Sequence, residues 1–155
     1  MSLTGYENQG PVRVGSSIGD ITAGLFTTIG IQSALIRRNI TKKGSYIDIS
    51  MLDCQIAILE NAVSRYFCEK KIPKKIGSRH PSIAPFECFK CKDAYIAIAA
   101  GNDALFEKLC HATSSNKLLE LEYFKTNDMR LKNIEKLKSM LEKVLKRKKA
   151  SYWLS

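Results

Sequence analysis

The chain has 155 residues, 45% of them apolar and 26% charged, with a formal net charge of +10. That length accommodates one domain or two small pieces, not a full-sized enzyme with two domains. No stretch approaches the roughly 18 unbroken apolar residues that a membrane span requires, and the first residues, Met1-Ser2-Leu3-Thr4-Gly5, have neither a basic nor an apolar leader region. The expectation is a cytoplasmic protein without membrane contact. Cys54, Cys68, Cys88, Cys91 and Cys110 form an odd, scattered set, which fits reduced thiols better than a disulfide scaffold.

Residues 1–17, with Gly5, Gly10, Pro11 and Gly15, show no periodicity and read as an entering loop. From Asp20 to about Arg38 the chain is apolar over most of a helical circumference. Ala23, Thr27, Gly30 and Ala34 mark a small-residue stripe for close packing. Asp20 suits the N-cap of this helix, and Arg37 and Arg38 suit the negative end of its dipole. Tyr46, Ile47, Asp48 and Ile49 alternate in the manner of a short strand over 45–50. A second helix then opens on a capping-box-like Ser50 and Asp53. It carries Leu52, Ile56, Leu59, Val63 and Tyr66 on one face and runs to Cys68 or Glu69.

Residues 70–85 are rich in cations and contain prolines and a glycine, so a linker is expected there. Beyond it, 86–89 and 95–100 read as two strands joined near Lys92 and Asp93. Asn102 caps a short helix through about Cys110, Thr126 is a further cap, and Ile134, Leu137, Leu141 and Val144 stripe a final long helix. The resulting division is 1–69, a linker over 70–85, and a small α+β domain over 86–155.

Three groups of residues carry candidate chemistry. Asp20, between Gly19 and the run Ile21-Thr22-Ala23-Gly24, is either a plain cap or a nucleophile toward an acyl group, and the two roles are compatible. Cys88 and Cys91, with Cys110 and His111, could be imagined as a zinc site. A lone CxxC lacks the paired knuckles of structural zinc, however, and two strand cysteines before a turn is the plainer reading, so no metal is expected. His80, between Arg79 and Pro81, suits a general base or a structural loop equally. The net charge raises nucleic-acid or polyanion binding, but the lysines of the last helix are interrupted by Glu135 and Glu142 and lack interleaved aromatics. They read as a solvated face, and no nucleic-acid partner is expected.

Five segments in order resemble family III CoA-transferases, the carnitine and formyl-CoA type. They are Arg13-Val14-Gly15 with Ile18-Gly19-Asp20-Ile21-Thr22-Ala23-Gly24; Lys43-Gly44-Ser45-Tyr46-Ile47-Asp48-Ile49-Ser50-Met51-Leu52-Asp53; Gly77-Ser78-Arg79-His80-Pro81-Ser82-Ile83-Ala84-Pro85-Phe86; Gly101-Asn102-Asp103; and Thr126-Asn127-Asp128-Met129-Arg130. The resemblance implies an α/β fold: the helical end of a Rossmann-like large domain, the linker, then most of a small α+β domain. It implies that Asp20 matches the aspartate that takes an acyl group as a mixed anhydride and then carries CoA as a thioester. It further implies that Arg79, His80 and Ser82 lie on a loop near the acyl site, although the glycine-rich stretch of some members is not present here.

Family chains are more than twice as long, with an amino-terminal half that supplies most CoA contacts, so a middle fragment is expected. Acyl-CoA and a carboxylic acid would be its substrates, with no tightly bound cofactor. Its partner would be a second copy, since family chains interlock as dimers, or a complementing amino-terminal fragment. Two further readings stay open: an α-methylacyl-CoA racemase with Asp20 as an acid/base residue, and a non-catalytic remnant or subunit.

Overall fold

A computed structural model describes residues 1–155, and the chain divides into two compact units, Met1–Lys75 and Ile76–Ser155. The molecule is rich in helix and has one small two-stranded sheet.

The first unit contains α1 (Ile18–Thr41), α2 (Met51–Ala57) and α3 (Asn61–Glu69). α1 starts two residues before Asp20, which corrects the expected cap. The carbonyl of Ser17 accepts the first helical bond, from the Ile21 amide at 3.0 Å, so Ser17 is the N-cap, without a side-chain bond of its own. Asp20 therefore stands inside the first turn, where its charge still faces the positive end of the helix dipole. At the other end Lys42 adopts the left-handed conformation, φ 59°, and donates its amide to the Arg38 carbonyl at 2.8 Å.

The stripe of Ala23, Thr27, Gly30 and Ala34 is the half-covered side of α1, and α2 packs against this helix. A side chain at Gly30 would place its Cβ 3.2 Å from Ile47 Cγ2, so Ile47 would have to give by a few tenths of an ångström. Gly24, by contrast, has open space where a Cβ would stand. Gly24→Ala should therefore raise stability by about 0.5–1 kcal/mol through helix propensity. Gly30→Val should lower the melting temperature by forcing Ile47 aside. Thermal melts of the two variants test both signs.

Two expectations for this unit need correction. Residues 45–50 alternate as expected, with Ile47 and Ile49 half-buried and Tyr46 and Asp48 exposed, but they form no strand. A strand needs a hydrogen-bonded neighbour, and both strands of the chain lie in the other unit. The second helix is broken into α2 and α3 at 58–60, where Glu60 takes φ 49°. Its start is as expected, since Ser50 Oγ accepts from the Asp53 amide at 3.2 Å. Only Thr22, Cys54 and Ala62 of this unit are buried, while Ile21, Leu25, Ile29, Ile36, Leu52 and Phe67 are exposed.

The second unit holds β1 (Phe86–Lys90), β2 (Tyr95–Ala99), α4 (Asp103–Ala112), α5 (Asn127–Lys132), α6 (Ile134–Leu145) and α7 (Ala150–Leu154). The strands pair antiparallel, Phe86 opposite Ala99 and Phe89 opposite Ile96, and the turn closes with the Cys91 amide donating to the Ala94 carbonyl at 2.8 Å. α6 lies against β1 and buries Leu137, Leu141 and Leu145, so Leu145 takes the place expected of the half-buried Val144. Phe89, Ile96, Phe106, Cys110, Leu118 and Phe124 complete one continuous core. The caps are those expected: Asn102 Oδ1 accepts from the Leu105 amide at 2.9 Å, and Thr126 Oγ1 from the Met129 amide at 3.3 Å. α7 is tied back by Trp153 Nε1, which donates to the Leu145 carbonyl at 3.0 Å.

Candidate active site

Asp20 is exposed on the first turn of α1, at the edge of a cleft of about 250 Å³ that Arg13, Ser16, Ser17, Gly19 and Gln55 help to line. Gly19 precedes Asp20 in this first turn. A Cβ at that position would stand 3.0 Å from Gln55 Nε2, so the absence of a side chain lets α2 bring the Gln55 amide against the backbone beside Asp20. The Gly19 and Asp20 amides precede the first helical bond and have no acceptor within the chain. Thr22 does not compete for the site, because its hydroxyl donates back to the Ile18 carbonyl at 2.7 Å. A free carboxylate beside unsatisfied N–H donors is what nucleophilic acyl chemistry requires: an attacking oxygen, and dipoles for a developing oxyanion.

Arg79, His80 and Ser82 lie in the other unit, on the loop leading into β1. Arg79 is held by carboxylates, with Nη2 2.7 Å from Glu135 Oε1 and Nε 3.4 Å from Glu87 Oε1. Burial by itself would lower its pKa, but the hydrogen bond to Glu135 and the charges of Glu87 and Glu135 hold the guanidinium above its ordinary value. A substrate anion would compete with Glu135, whose side chain is 78% exposed, rather than with Glu87 beneath it. The imidazole of His80 stacks on Phe86 with centroids 5.1 Å apart, and its Nδ1 accepts from the Ser82 amide at 3.2 Å. A neutral His80 therefore carries its proton on Nε2.

The residues that fix this loop come from motifs distant in sequence. Asn127 Nδ2 donates to the Ser82 carbonyl at 2.9 Å, and Asn127 Oδ1 accepts from the Ala84 amide at 3.0 Å. Arg130 is fully buried beneath it. Its Nε donates to the Ala84 carbonyl at 2.7 Å, Nη1 to the Phe124 carbonyl at 3.0 Å, and Nη2 to Asp103 Oδ1 at 2.6 Å, while the guanidinium lies 4.5 Å from the Phe106 ring centroid. Three of the five sequence segments thus meet in one network, in which 77–86 is the loop and 101–103 and 126–130 hold it.

Sequence reasoning missed Glu87. It occupies an inward position of β1, is 3% exposed, and is paired with both Arg79 and Lys138. Lone Glu in an aromatic-rich strand was the available signal.

The cysteines of the CxxC differ in setting. Cys88 is half-buried on β1, whereas Cys91 and Cys110 belong to the core. No group of three His, Cys, Asp or Glu side chains converges as metal ligands would. Burial, aided by Asp93 and Glu142, pushes the Cys91 thiol up, and burial pushes Cys110 up to about 11 despite the nearby Arg130 charge. With maleimide at pH 8, exposed Cys68 should react first, and Cys91 and Cys110 only after denaturation; peptide mapping of the label checks this. Of the lysines on α6 and at its C-cap, Lys138 pairs with Glu87, Lys146 with Glu142 at 2.7 Å, and Lys136 lies 3.8 Å from the Tyr123 ring centroid.

The family model for CoA-transferase family III matches residues 1–155. The acetyl-CoA:oxalate CoA-transferase of Acetobacter aceti is 40% identical over 99% of the chain, and the human succinyl-CoA:glutarate CoA-transferase is 35% identical over 99%. A crystal structure of a CaiB/BaiF family protein from Brucella suis superposes with a TM-score of 0.78 at 39% identity, covering 99% of this chain and 41% of that one. The chain belongs to CoA-transferase family III. It spans 40% of the length of the Acetobacter relative and 35% of the human one.

Proposed function

We propose that this chain carries the nucleophilic part of a centre that moves CoA between an acyl-CoA and a carboxylic acid. The observation that carries the reading is Asp20 itself, an exposed carboxylate on a helix's first turn beside amides that have no other acceptor. A carboxylate oxygen of Asp20 attacks the thioester carbonyl, and the C–S bond breaks to give a mixed anhydride and CoA thiolate. The thiolate attacks the aspartyl carbonyl, which releases the donor carboxylate and leaves an aspartyl-CoA thioester. The acceptor carboxylate then displaces the thiolate to form a second anhydride. Attack of thiolate on the new acyl carbonyl delivers the product acyl-CoA and regenerates the Asp20 carboxylate. First-turn amides stabilise the tetrahedral oxyanions, and no proton or redox cofactor enters the balance.

Arg79, His80 and Ser82 are assigned to binding the acyl or carboxylate substrate. The transferase names of the relatives favour this chemistry over racemisation, in which Asp20 would only shuttle a proton. The same reading takes the first unit as the helical end of a Rossmann-like domain. It also treats 70–85 as the linker and assigns the exposed apolar faces of α1 and α2 to a second chain in a cytoplasmic homodimer, or to a complementing amino-terminal fragment. A test uses a chimera in which residues 1–155 replace the matching 40% of the Acetobacter aceti enzyme. Transfer of CoA from acetyl-CoA to a panel of dicarboxylates is expected; a folded chimera inert toward every acceptor would refute the reading.

A further inference from the structure

The 82–84 backbone is held at three polar points by one helix, α5. Asn127 grips the Ser82 carbonyl and the Ala84 amide, and Arg130 grips the Ala84 carbonyl at 2.7 Å. These bonds leave the Ser82 N–H free to point at His80, whose Nδ1 it meets at 3.2 Å. On its far side the ring is trapped by Phe86, nearly parallel at 17°, and the His80 amide is tied to the Phe86 carbonyl at 2.8 Å. We infer that Asn127 is a positioning residue: through Ser82 it fixes the orientation and tautomer of His80, so that Nε2–H is presented as a hydrogen-bond donor to a substrate carboxylate or acyl oxygen. The substrate half of this inference rests on the assignment of His80 proposed above.

The physical reason is one of preorganisation. A neutral imidazole on a loose loop exchanges between two tautomers, only one of which donates from Nε2. An N–H aimed at Nδ1 is compatible with the Nε2–H form alone, and its aim depends on the backbone being pinned on both sides. Arg130 supports the same backbone, but it is fully buried and also carries the Phe124 carbonyl and Asp103, so its removal would disturb the fold. Asn127 is half-buried at the first position of α5, and its replacement is the cleaner probe.

The chain has only two histidines, His80 and His111, so nitrogen NMR of the 155-residue protein resolves both rings. Nε2–H should dominate at His80 and give way to mixed tautomers in Asn127→Ala, with His111 unchanged. Asn127→Asp, which keeps the acceptor for the Ala84 amide but not the donor to Ser82, should fall between. In the chimera, Asn127→Ala should raise the acceptor KM by roughly three- to tenfold, the scale of one hydrogen bond's net contribution, with kcat less affected. An Asn127→Ala protein whose His80 tautomer and acceptor KM both match the parent would overturn the positioning role, even if His80→Ala raises KM. If His80→Ala and Ser82→Ala leave KM untouched, the substrate assignment of the loop fails instead, and with it the substrate half of the inference.

Discussion

Asp20→Asn in the chimera should lose about four orders of magnitude or more in turnover, the scale on which covalent catalysis depends on its nucleophile, while the fold is retained. Asparagine preserves shape and volume but lacks the anionic oxygen that forms the anhydride. Because Ser17 rather than Asp20 is the N-cap, the helix start does not depend on this side chain. The cost to stability is the loss of one favourable charge in the first turn, about 0.3–1 kcal/mol. Asp20→Ala should behave the same way, since no capping hydrogen bond is lost with it. Activity within tenfold of the parent in either well-folded variant would remove Asp20 from the chemistry.

The largest stability effect is expected at Arg130. Its guanidinium is fully buried, satisfied by the Ala84 and Phe124 carbonyls and Asp103, and lies over the Phe106 ring. Truncation to alanine leaves those carbonyls without a donor, leaves Asp103 without its cation and opens a cavity against Phe106. Each buried carbonyl left without a donor costs about 1–3 kcal/mol, and the cavity adds to that, whereas Asp103, with its side chain 68% exposed, regains water. Arg130→Ala should therefore unfold much of the Ile76–Ser155 unit at 37 °C. Arg130→Lys keeps the charge but offers one donor group where three directions are used, and should lose more than half as much stability as the alanine variant. Urea denaturation followed by Trp153 fluorescence measures both. A loss below about 1 kcal/mol for the alanine variant would show that the network contributes little.

Local signals in the sequence were reliable at three of the four expected caps, while Asp20, the fourth, lies inside the first turn instead. Ser50, Asn102 and Thr126 cap the helices that follow them because each needs only an amide three residues on. The hairpin at 86–99 was legible from its two strand-like runs and the turn between them. What was not legible depends on partners far along the chain. Arg130 reads as one more surface cation until Ala84 and Asp103, 46 and 27 residues away, are seen to close around it. Glu87 likewise interrupts a strand's apolar face unless Arg79 and Lys138 are known to meet it. The break at Glu60 carries no glycine or proline to announce it. The apolar stripe of α2 and α3 is periodic, yet Leu52, Ile56 and Leu59 are largely uncovered within this chain, because periodicity reports a face and not what covers it.

For the candidate site, Asp20 is an expectation from family resemblance alone, and its structural setting was not legible in the sequence. The close approach of the Gln55 amide to Gly19 joins residues 36 positions apart. The roles of 101–103 and 126–130 as holders of the 77–86 loop emerge only from the hydrogen bonds that join them.

The most direct test of the account is to locate the covalent intermediate. The chimera is incubated with acetyl-CoA, quenched with hydroxylamine and digested, and the modified peptide is sequenced by mass spectrometry. An anhydride or thioester on an aspartate is converted by hydroxylamine to the aspartyl hydroxamate, so the account predicts a hydroxamate at Asp20, absent from Asp20→Asn. A hydroxamate at Asp53 or any other residue, in an enzyme that turns over, would contradict it.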